Sequence, residues 1–453
     1  MKIAVVGTGV AGLVAAAVLS RAHRVTVFEA NAWPGGHVHT HEIAIGGRSW
    51  PVDTGFIVYN ERAYPNFVRM LATLGVATRP TSMSFAVRCD RTGLEYGGTG
   101  PGALFAQRRN LLRPWFWRML RDVLRFGREA RELLVPGDES LGLRAYLGAR
   151  GYSPAFVEHY AIPMGAAIWS APPAAMADFP ARQFVRFFDR HGVLDIRRAP
   201  GWRTIVGGSG SYVERLIAPF RERIRLSTKV RRVTPTADGV EVTTAVGETA
   251  RFDRAVIAAH SDQALAMLDP PTARERQVLG AIRYQTNDAV LHTDARVMPR
   301  RRRAWSSWNY LIPGPGDAGD AEAPSVAPLG LPFPPSEQAA VRADQPAEGA
   351  AARVLVTYYM NLLQGLESPL PLLVTLNGAN RIDPAKIVRR MSYEHPVYDA
   401  AAFAAQRRFG EIDGVRRVHF CGAYWGYGFH EDGVDSALAV TRGVFGMGLE
   451  ALA

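Results

Sequence analysis

The N-terminus opens on an unbroken apolar run, Ile3-Ala-Val-Val6, with no polar position to alternate with. Such a run predicts a strand buried on both faces. It leads into Gly7-Thr8-Gly9-Val10-Ala11-Gly12 and then Leu13-Val-Ala-Ala-Ala-Val-Leu19, an Ala-rich helix. Strand, glycine turn and helix in this order suit a dinucleotide. Gly7 permits the tight turn, Gly9 lets the backbone approach a pyrophosphate, and Gly12 lets helix and strand pack closely. The free N–H groups at Val10 and Ala11 open a helix whose dipole favours phosphate there. Arg24-Val-Thr-Val-Phe28 reads as a second strand, ending at Glu29. An acid about 20 residues past the glycines is placed for ribose hydroxyls.

Two later segments repeat the theme. Thr204-Ile-Val-Gly207-Gly208-Ser209-Gly210 precedes a helix, and Val418-His-Phe-Cys421-Gly422 runs on to Gly433-Val434 and a last helix. Ile224 to Val230 reads as a strand, and Arg254 to Ala258 as a short buried one. The glycine segments must meet in space, so the nucleotide domain is discontinuous: 1–60, 200–265 and 405–453. The stretches 61–199 and 266–404 form a substrate domain. Apolar spacing predicts helices at 65–75 and 103–134 in the first stretch. β-rich runs at 288–293, 305–310 and 354–360 predict strands in the second. Residues 312–350, rich in Pro, Gly and Ala, are expected to be a mobile surface insertion without a catalytic role. The fold class is α/β with a mixed second domain.

At 453 residues the chain has room for two domains. No apolar run reaches the roughly 18 to 20 residues of a membrane span. The first apolar stretch is already strand and helix, so no leader is expected. Two cysteines, Cys89 and Cys421, make no disulfide framework and suggest a reducing cytoplasm. The net charge is +11, almost all from arginine, the only lysines being Lys2, Lys229 and Lys386. No nucleic-acid motif accompanies that charge. Residues 103–134, however, interleave eight arginines with Trp115, Phe116, Trp117 and Phe126. That mixture suits a packed helix or an anionic membrane surface, and a basic run at Arg300 to Arg303 favours the membrane. His37, His39 and His41 alternate, but no second ligand cluster appears and no metal is expected.

The glycine motif fits NAD and FAD equally, and Glu29 argues against a 2′-phosphate. The following residues separate the two. Glu29-Ala30, then Gly35-Gly36-His37, then Asp53-Thr54-Gly55-Phe56-Ile57 resemble the flavin-containing amine oxidoreductase superfamily. The two later glycine segments resemble it too, in the same order. The resemblance implies a Rossmann-type FAD-binding domain of the glutathione-reductase kind and an amine-oxidase-like substrate domain. It implies Gly35, Gly36 and His37 at the diphosphate, Thr54 to Ile57 at the flavin, and Val230 at the adenine. It further implies Ala258 and Gly422 in the cradle and Gly433 and Val434 at the ring. No cysteine stands where family members attach flavin, so non-covalent FAD is expected.

Amine oxidases of the superfamily usually hold a lysine beside the flavin. Asn287 takes that place here, and His430 replaces a tyrosine of their aromatic cage. His430 and Glu431 become the candidates for acid–base work. Further stretches, among them Ser307-Trp-Asn-Tyr310, Tyr358-Tyr-Met-Asn361 and Gly428-Phe-His-Glu-Asp-Gly433, resemble bacterial flavoproteins linked to cyclopropane-type fatty-acid methyltransferases. That subgroup includes the desaturase of the furan fatty acid pathway. The resemblance implies dehydrogenation of a methyl-branched unsaturated acyl chain on phospholipid, with oxygen or a quinone as the final acceptor. Phe184, Phe187, Phe188 and residues 162–169 serve either as an acyl tunnel or as ordinary core. An amine oxidase and a non-enzymatic flavin-binding protein are the alternatives. The chain is expected in the cytoplasm, peripheral on the inner face of the membrane.

Overall fold

The computed structural model describes residues 1–195, 201–314 and 353–452. The insertion expected over 312–350 lies outside them from residue 315 onward. Five parallel strands form the first sheet, in the order Ile224–Arg225, Arg24–Phe28, Lys2–Val6, Arg254–Ile257, Val418–Phe420. Both faces are covered. Ile3 and Val5 enter one core with the first helix, while Ala4 and Val6 enter another with Val233 and Leu279. Two covered faces are why the first strand carries no polar alternation. The helix Val10–Leu19 is buried at every position, which its run of small side chains allows.

The stretch Ile224 to Val230 is not one strand. The chain leaves the parallel sheet after Arg225, passes Ser227 at φ +48° and enters a three-stranded antiparallel sheet at Val230–Pro235. The alternating pattern ran on through that corner, and only the left-handed serine breaks it.

A seven-stranded sheet forms the second layer, ordered Ile387–Val397, Arg283–His292, Leu373–Leu376, Val356–Tyr359, Trp308–Ile312, Phe85–Cys89, Leu94–Gly97. Its last two strands come from the stretch expected to be helical. Phe85-Ala-Val-Arg-Cys89 pairs with Leu94–Gly97 as a hairpin and extends the sheet in parallel beside Trp308–Ile312. The helix expected over 103–134 is also divided. Pro114 starts a helix at Pro114–Glu129, flanked by short 3₁₀ turns at Arg108–Leu112 and Ala130–Leu134. Proline is favoured there because the first helical N–H has no partner to lose. Phe116, Met119 and Phe126 face an aromatic core shared with Phe156, Phe184 and Phe188.

Candidate active site

The glycine turn leaves the first strand at Gly7, with φ +103°, and its N–H donates to the Phe28 carbonyl at 2.8 Å. A Cβ on Gly12 would lie 2.1 Å from the Gly7 carbonyl oxygen and 3.0 Å from Ala258 Cβ. Only glycine lets helix, turn and fourth strand approach this closely. Gly9 is different: a Cβ there would meet nothing within 4 Å. Gly36, at φ +60°, crosses above it with room for a Cβ only 3.0 Å from Gly9 Cα. Gly55 packs on the His37 carbonyl, which also accepts the Phe56 N–H at 3.0 Å.

The last helix, His430–Phe445, brings a second N-terminus to the same place. A Cβ on Gly433 would lie 2.6 Å from Val10 Cγ1 and 3.7 Å from the Ala11 nitrogen. Gly422 is tied to this helix through the Ser436 hydroxyl at 2.9 Å. Val434 is fully buried behind it. Glu29 accepts the Thr8 N–H at 2.9 Å and the Thr8 hydroxyl through one oxygen, and the Asn31 N–H at 2.8 Å through the other. Its carbonyl takes the Thr228 N–H, which brings Val230 to the same end of the sheet, while Ala30 is exposed beside it. The cradle fits a dinucleotide: two converging helix N-termini, open space over Gly9, and a buried His37 Nε2 with no hydrogen-bond partner.

Next to the cradle the second sheet supplies a wall. Asn287, on Arg283–His292, sits at the centre of a hydrogen-bond chain that sequence reading missed. The Asn377 amide nitrogen donates to the Val354 carbonyl at 3.0 Å and to Asn287 Oδ1 at 2.7 Å. The Asn287 amide nitrogen in turn meets His395 Nδ1 at 2.9 Å. His395 reaches this point because Gln285 pairs with it across the sheet, two residues from Asn287. Around them His37 lies 5.1 Å from Tyr393, 5.6 Å from His395 and 6.0 Å from His260. His260 stacks on Tyr284 at 4.5 Å. Burial holds His395 down to about 4, and burial with neighbouring imidazoles holds His37 well below the usual histidine value. His37 and His395 are therefore neutral hydrogen-bonding groups near pH 7. None of the three lysines stands here: Lys2 begins the first strand, Lys229 is exposed, and Lys386 lies 3.7 Å from Asp294.

The two candidate acid–base residues part company. His430 is buried, stacks on Phe56 at 3.6 Å and meets the Tyr212 hydroxyl at 3.2 Å; burial pushes it down to about 3. Glu431 instead accepts the Asn66 and Phe67 N–H groups at 2.8 and 2.9 Å, capping the helix Pro65–Thr73. Burial raises it to about 7, yet both oxygens are committed to that helix end, so the geometry gives Glu431 a structural task. Asp53 is structural as well. It gathers Thr40, the Ser209 N–H and hydroxyl, and Gln364, tying the Thr40–Asp53 hairpin to the Gly207–Gly208 turn. The alternating histidines also resolve. His39 stacks on Trp33, His41 meets Thr54, and among the described residues no group of side chains could hold a metal. Cys89 and Cys421 are buried and unpaired.

A family profile described as flavin containing amine oxidoreductase matches residues 10–317. "Putative flavin-containing monoamine oxidase AofH" of Mycobacterium tuberculosis is 30% identical over 299 residues, covering 62% of this chain and 61% of that protein. The match therefore spans less than two thirds of that relative's length. Among solved structures, cyclohexylamine oxidase from Brevibacterium oxydans IH-35A superposes with a TM-score of 0.64 at 15% identity, over 98% of this chain and 99% of the other. A CLA-producing fatty acid isomerase from P. acnes gives 0.62 at 14% identity, over 98% of each chain. At these identities the likeness is one of fold.

Proposed function

The chain belongs to the flavin-containing amine oxidoreductase family and is an FAD-dependent oxidoreductase; from that premise we propose that it dehydrogenates a lipid acyl chain. The favoured substrate is a methyl-branched, unsaturated fatty acyl group on phospholipid, and the FAD is held without a covalent bond. The observation that carries this reading is the lysine-free wall of Asn287, His395 and neutral imidazoles. When bound, FAD supplies a two-electron acceptor able to take a hydride from a substrate carbon. An isolated allylic C–H is too weak an acid for imidazole to deprotonate first. Loss of hydride leaves an allylic cation that the methyl branch stabilises. The neighbouring C–H is then far more acidic than an imidazolium, so even His430, held at about 3, is basic enough to take the proton. Hydride and proton together leave a conjugated diene.

The residues of the chain divide the remaining tasks. Val10, Ala11 and Gly12 at the first helix end, with the N–H groups of Gly36 and His37, hold the diphosphate, while Gly433 and Val434 lie at the ring; the Gly35 N–H is already bound to the Thr8 carbonyl. Phe56 fixes the His430 ring by stacking, and His395 presents a neutral donor. The aromatic interior around Phe184, Phe187 and Phe188 supplies apolar surroundings. The test is anaerobic mixing of holoenzyme with phospholipid carrying methylated unsaturated chains, while the oxidised flavin band is followed. Bleaching by the lipid supports the reading.

The second reading is an amine oxidase that makes an imine and hydrogen peroxide, favoured by the sequence identity to AofH. Bleaching by amines, with none by lipid, would establish it and overturn the first.

A further inference from the structure

The two basic runs, near 108–128 and at 300–303, are remote in sequence, yet one residue joins them. Glu95, buried on the Leu94–Gly97 strand of the Phe85–Gly97 hairpin, accepts the backbone N–H groups of Arg300 and Arg301 with its carboxylate at 3.1 and 3.0 Å. Its own N–H goes to Gln107 Oε1 at 3.1 Å, and its carbonyl takes the Asn110 amide at 3.2 Å. Arg109 closes on the Gly93 carbonyl of the same hairpin. Both arginine segments are thus anchored to one hairpin.

The helix Pro114–Glu129 then sorts its aromatic residues. Phe116, Met119 and Phe126 go inward, and Trp115, Leu120 and Val123 pack against the same core, so much of the apolar character visible in the sequence is core. What remains outside is specific. Leu111 is 47% exposed, Leu112 86%, Trp117 47% and Leu124 57%. Trp117 and Leu124 are seven residues apart and share one face with Arg121 and Arg128, and Arg118 lies beside Arg121 at its edge. The Trp117 indole N–H donates to the Leu111 carbonyl at 2.9 Å, so the ring is fixed against the 3₁₀ turn. Charge is not balanced locally. Asp122 is buried on the Ser153 N–H and Glu129 pairs with Arg125. Among the described residues, Arg108, Arg109, Arg118, Arg121 and Arg128 meet no carboxylate.

We propose that this face, Leu111, Leu112, Trp117 and Leu124 set among Arg108, Arg109, Arg118, Arg121 and Arg128, docks on an anionic phospholipid bilayer. Fixed indole, exposed leucines and unpaired arginines are the combination that inserts at a headgroup boundary. The proposal gives the acyl-chain reading a source of substrate, but its test needs no turnover. Holoenzyme is floated with vesicles of phosphatidylcholine alone or mixed with phosphatidylglycerol. It should float only with the mixed vesicles and be released at about 0.5 M salt, where surface charge is screened. Leu112→Glu and the pair Arg118→Glu, Arg121→Glu should each lower partitioning tenfold or more, with flavin absorbance and melting temperature unchanged. Wild type left at the bottom with anionic vesicles, equal flotation with neutral ones, variants that float normally, or retention on duplex DNA instead would each overturn it. Flotation without acyl turnover leaves this proposal standing and removes the desaturase; turnover on detergent-dispersed lipid without flotation does the reverse.

Discussion

The Asn287 side-chain nitrogen lies 2.9 Å from His395 Nδ1, and the direction of that hydrogen bond is set elsewhere. Asn377 Oδ1 accepts the Asp288 N–H at 3.1 Å, so its nitrogen must be the atom that donates to the Val354 carbonyl and to Asn287 Oδ1. Asn287 is thereby oriented with its NH₂ toward the imidazole. Nδ1 accepts, and the neutral ring carries its proton on Nε2.

Replacing Asn287 with Asp reverses that polarity. A carboxylate would face Nδ1, the ring would carry a proton there, and His395 would rise from about 4. The imidazole resonance titrated by NMR, and the pH profile of flavin reduction, should both show the rise. An unmoved titration contradicts the assigned polarity.

Gly9 and Gly12 should fail differently. Gly9→Ala meets no atom of the chain within 4 Å and keeps an allowed φ of −60°. Its melting should stay within about 0.5 kcal/mol of wild type, while FAD affinity drops tenfold or more because the methyl occupies the space over the helix end. Gly12→Ala puts a methyl into the Gly7 carbonyl and should cost about 1–3 kcal/mol as well as the coenzyme. Calorimetry of FAD binding beside thermal melts separates the two.

His430→Phe keeps a ring against Phe56 but removes both nitrogens, so acyl dehydrogenation should slow about a hundredfold or more. Glu431→Ala removes the cap on Asn66 and Phe67 and should instead cost about 1–2 kcal/mol of stability with a smaller loss of rate. Rates and melts of the two variants, compared, assign the roles; the opposite pattern would make Glu431 the base.

Acid should destabilise the holoenzyme. Six histidines (39, 41, 191, 292, 395 and 430) are held at about 3 or 4, and His37 well below its usual value. The unfolded chain takes up those protons as pH falls below about 6.5 while the fold does not, so stability is lost over that window. Asp53 and Asp432 at about 6 and Glu431 at about 7 act in the opposite sense, since the fold protonates them first. The histidines outnumber them. A lower melting temperature at pH 5 than at pH 7 is expected; an equal or higher one contradicts the burial of these rings.

Much of the cradle could be read in advance, because each part is local. Gly7 to Gly12, Gly35-Gly36 and Gly433 carry their requirement in one or two turns of chain, and the strands Lys2–Val6, Arg24–Phe28 and Arg254–Ile257 lie where their patterns put them, whereas Ile224 to Val230 is split between two sheets. The histidine wall could not be read this way. His395 meets Asn287 only through the register of two antiparallel strands more than a hundred residues apart, and Asn377 joins from a third. Glu431 looked like a base beside His430, since nothing in its neighbours announces that it caps a helix starting at Pro65. Within 103–134, periodicity showed an amphipathic helix but not that Pro114 restarts it, nor which aromatics turn inward. The Phe85–Gly97 hairpin lay unread between the helical patterns at 65–75 and 103–134, because Phe85-Ala-Val carries no polar alternation to mark a strand.

The central claim is that the neutral, lysine-free wall serves loss of two hydrogens from a hydrocarbon chain. Mass spectrometry of phospholipid recovered after anaerobic single turnover measures it directly. Acyl chains two hydrogens lighter, absorbing as a conjugated diene and formed in step with flavin reduction, are the predicted result. Unaltered lipid from enzyme whose flavin is readily reduced by an amine would contradict it.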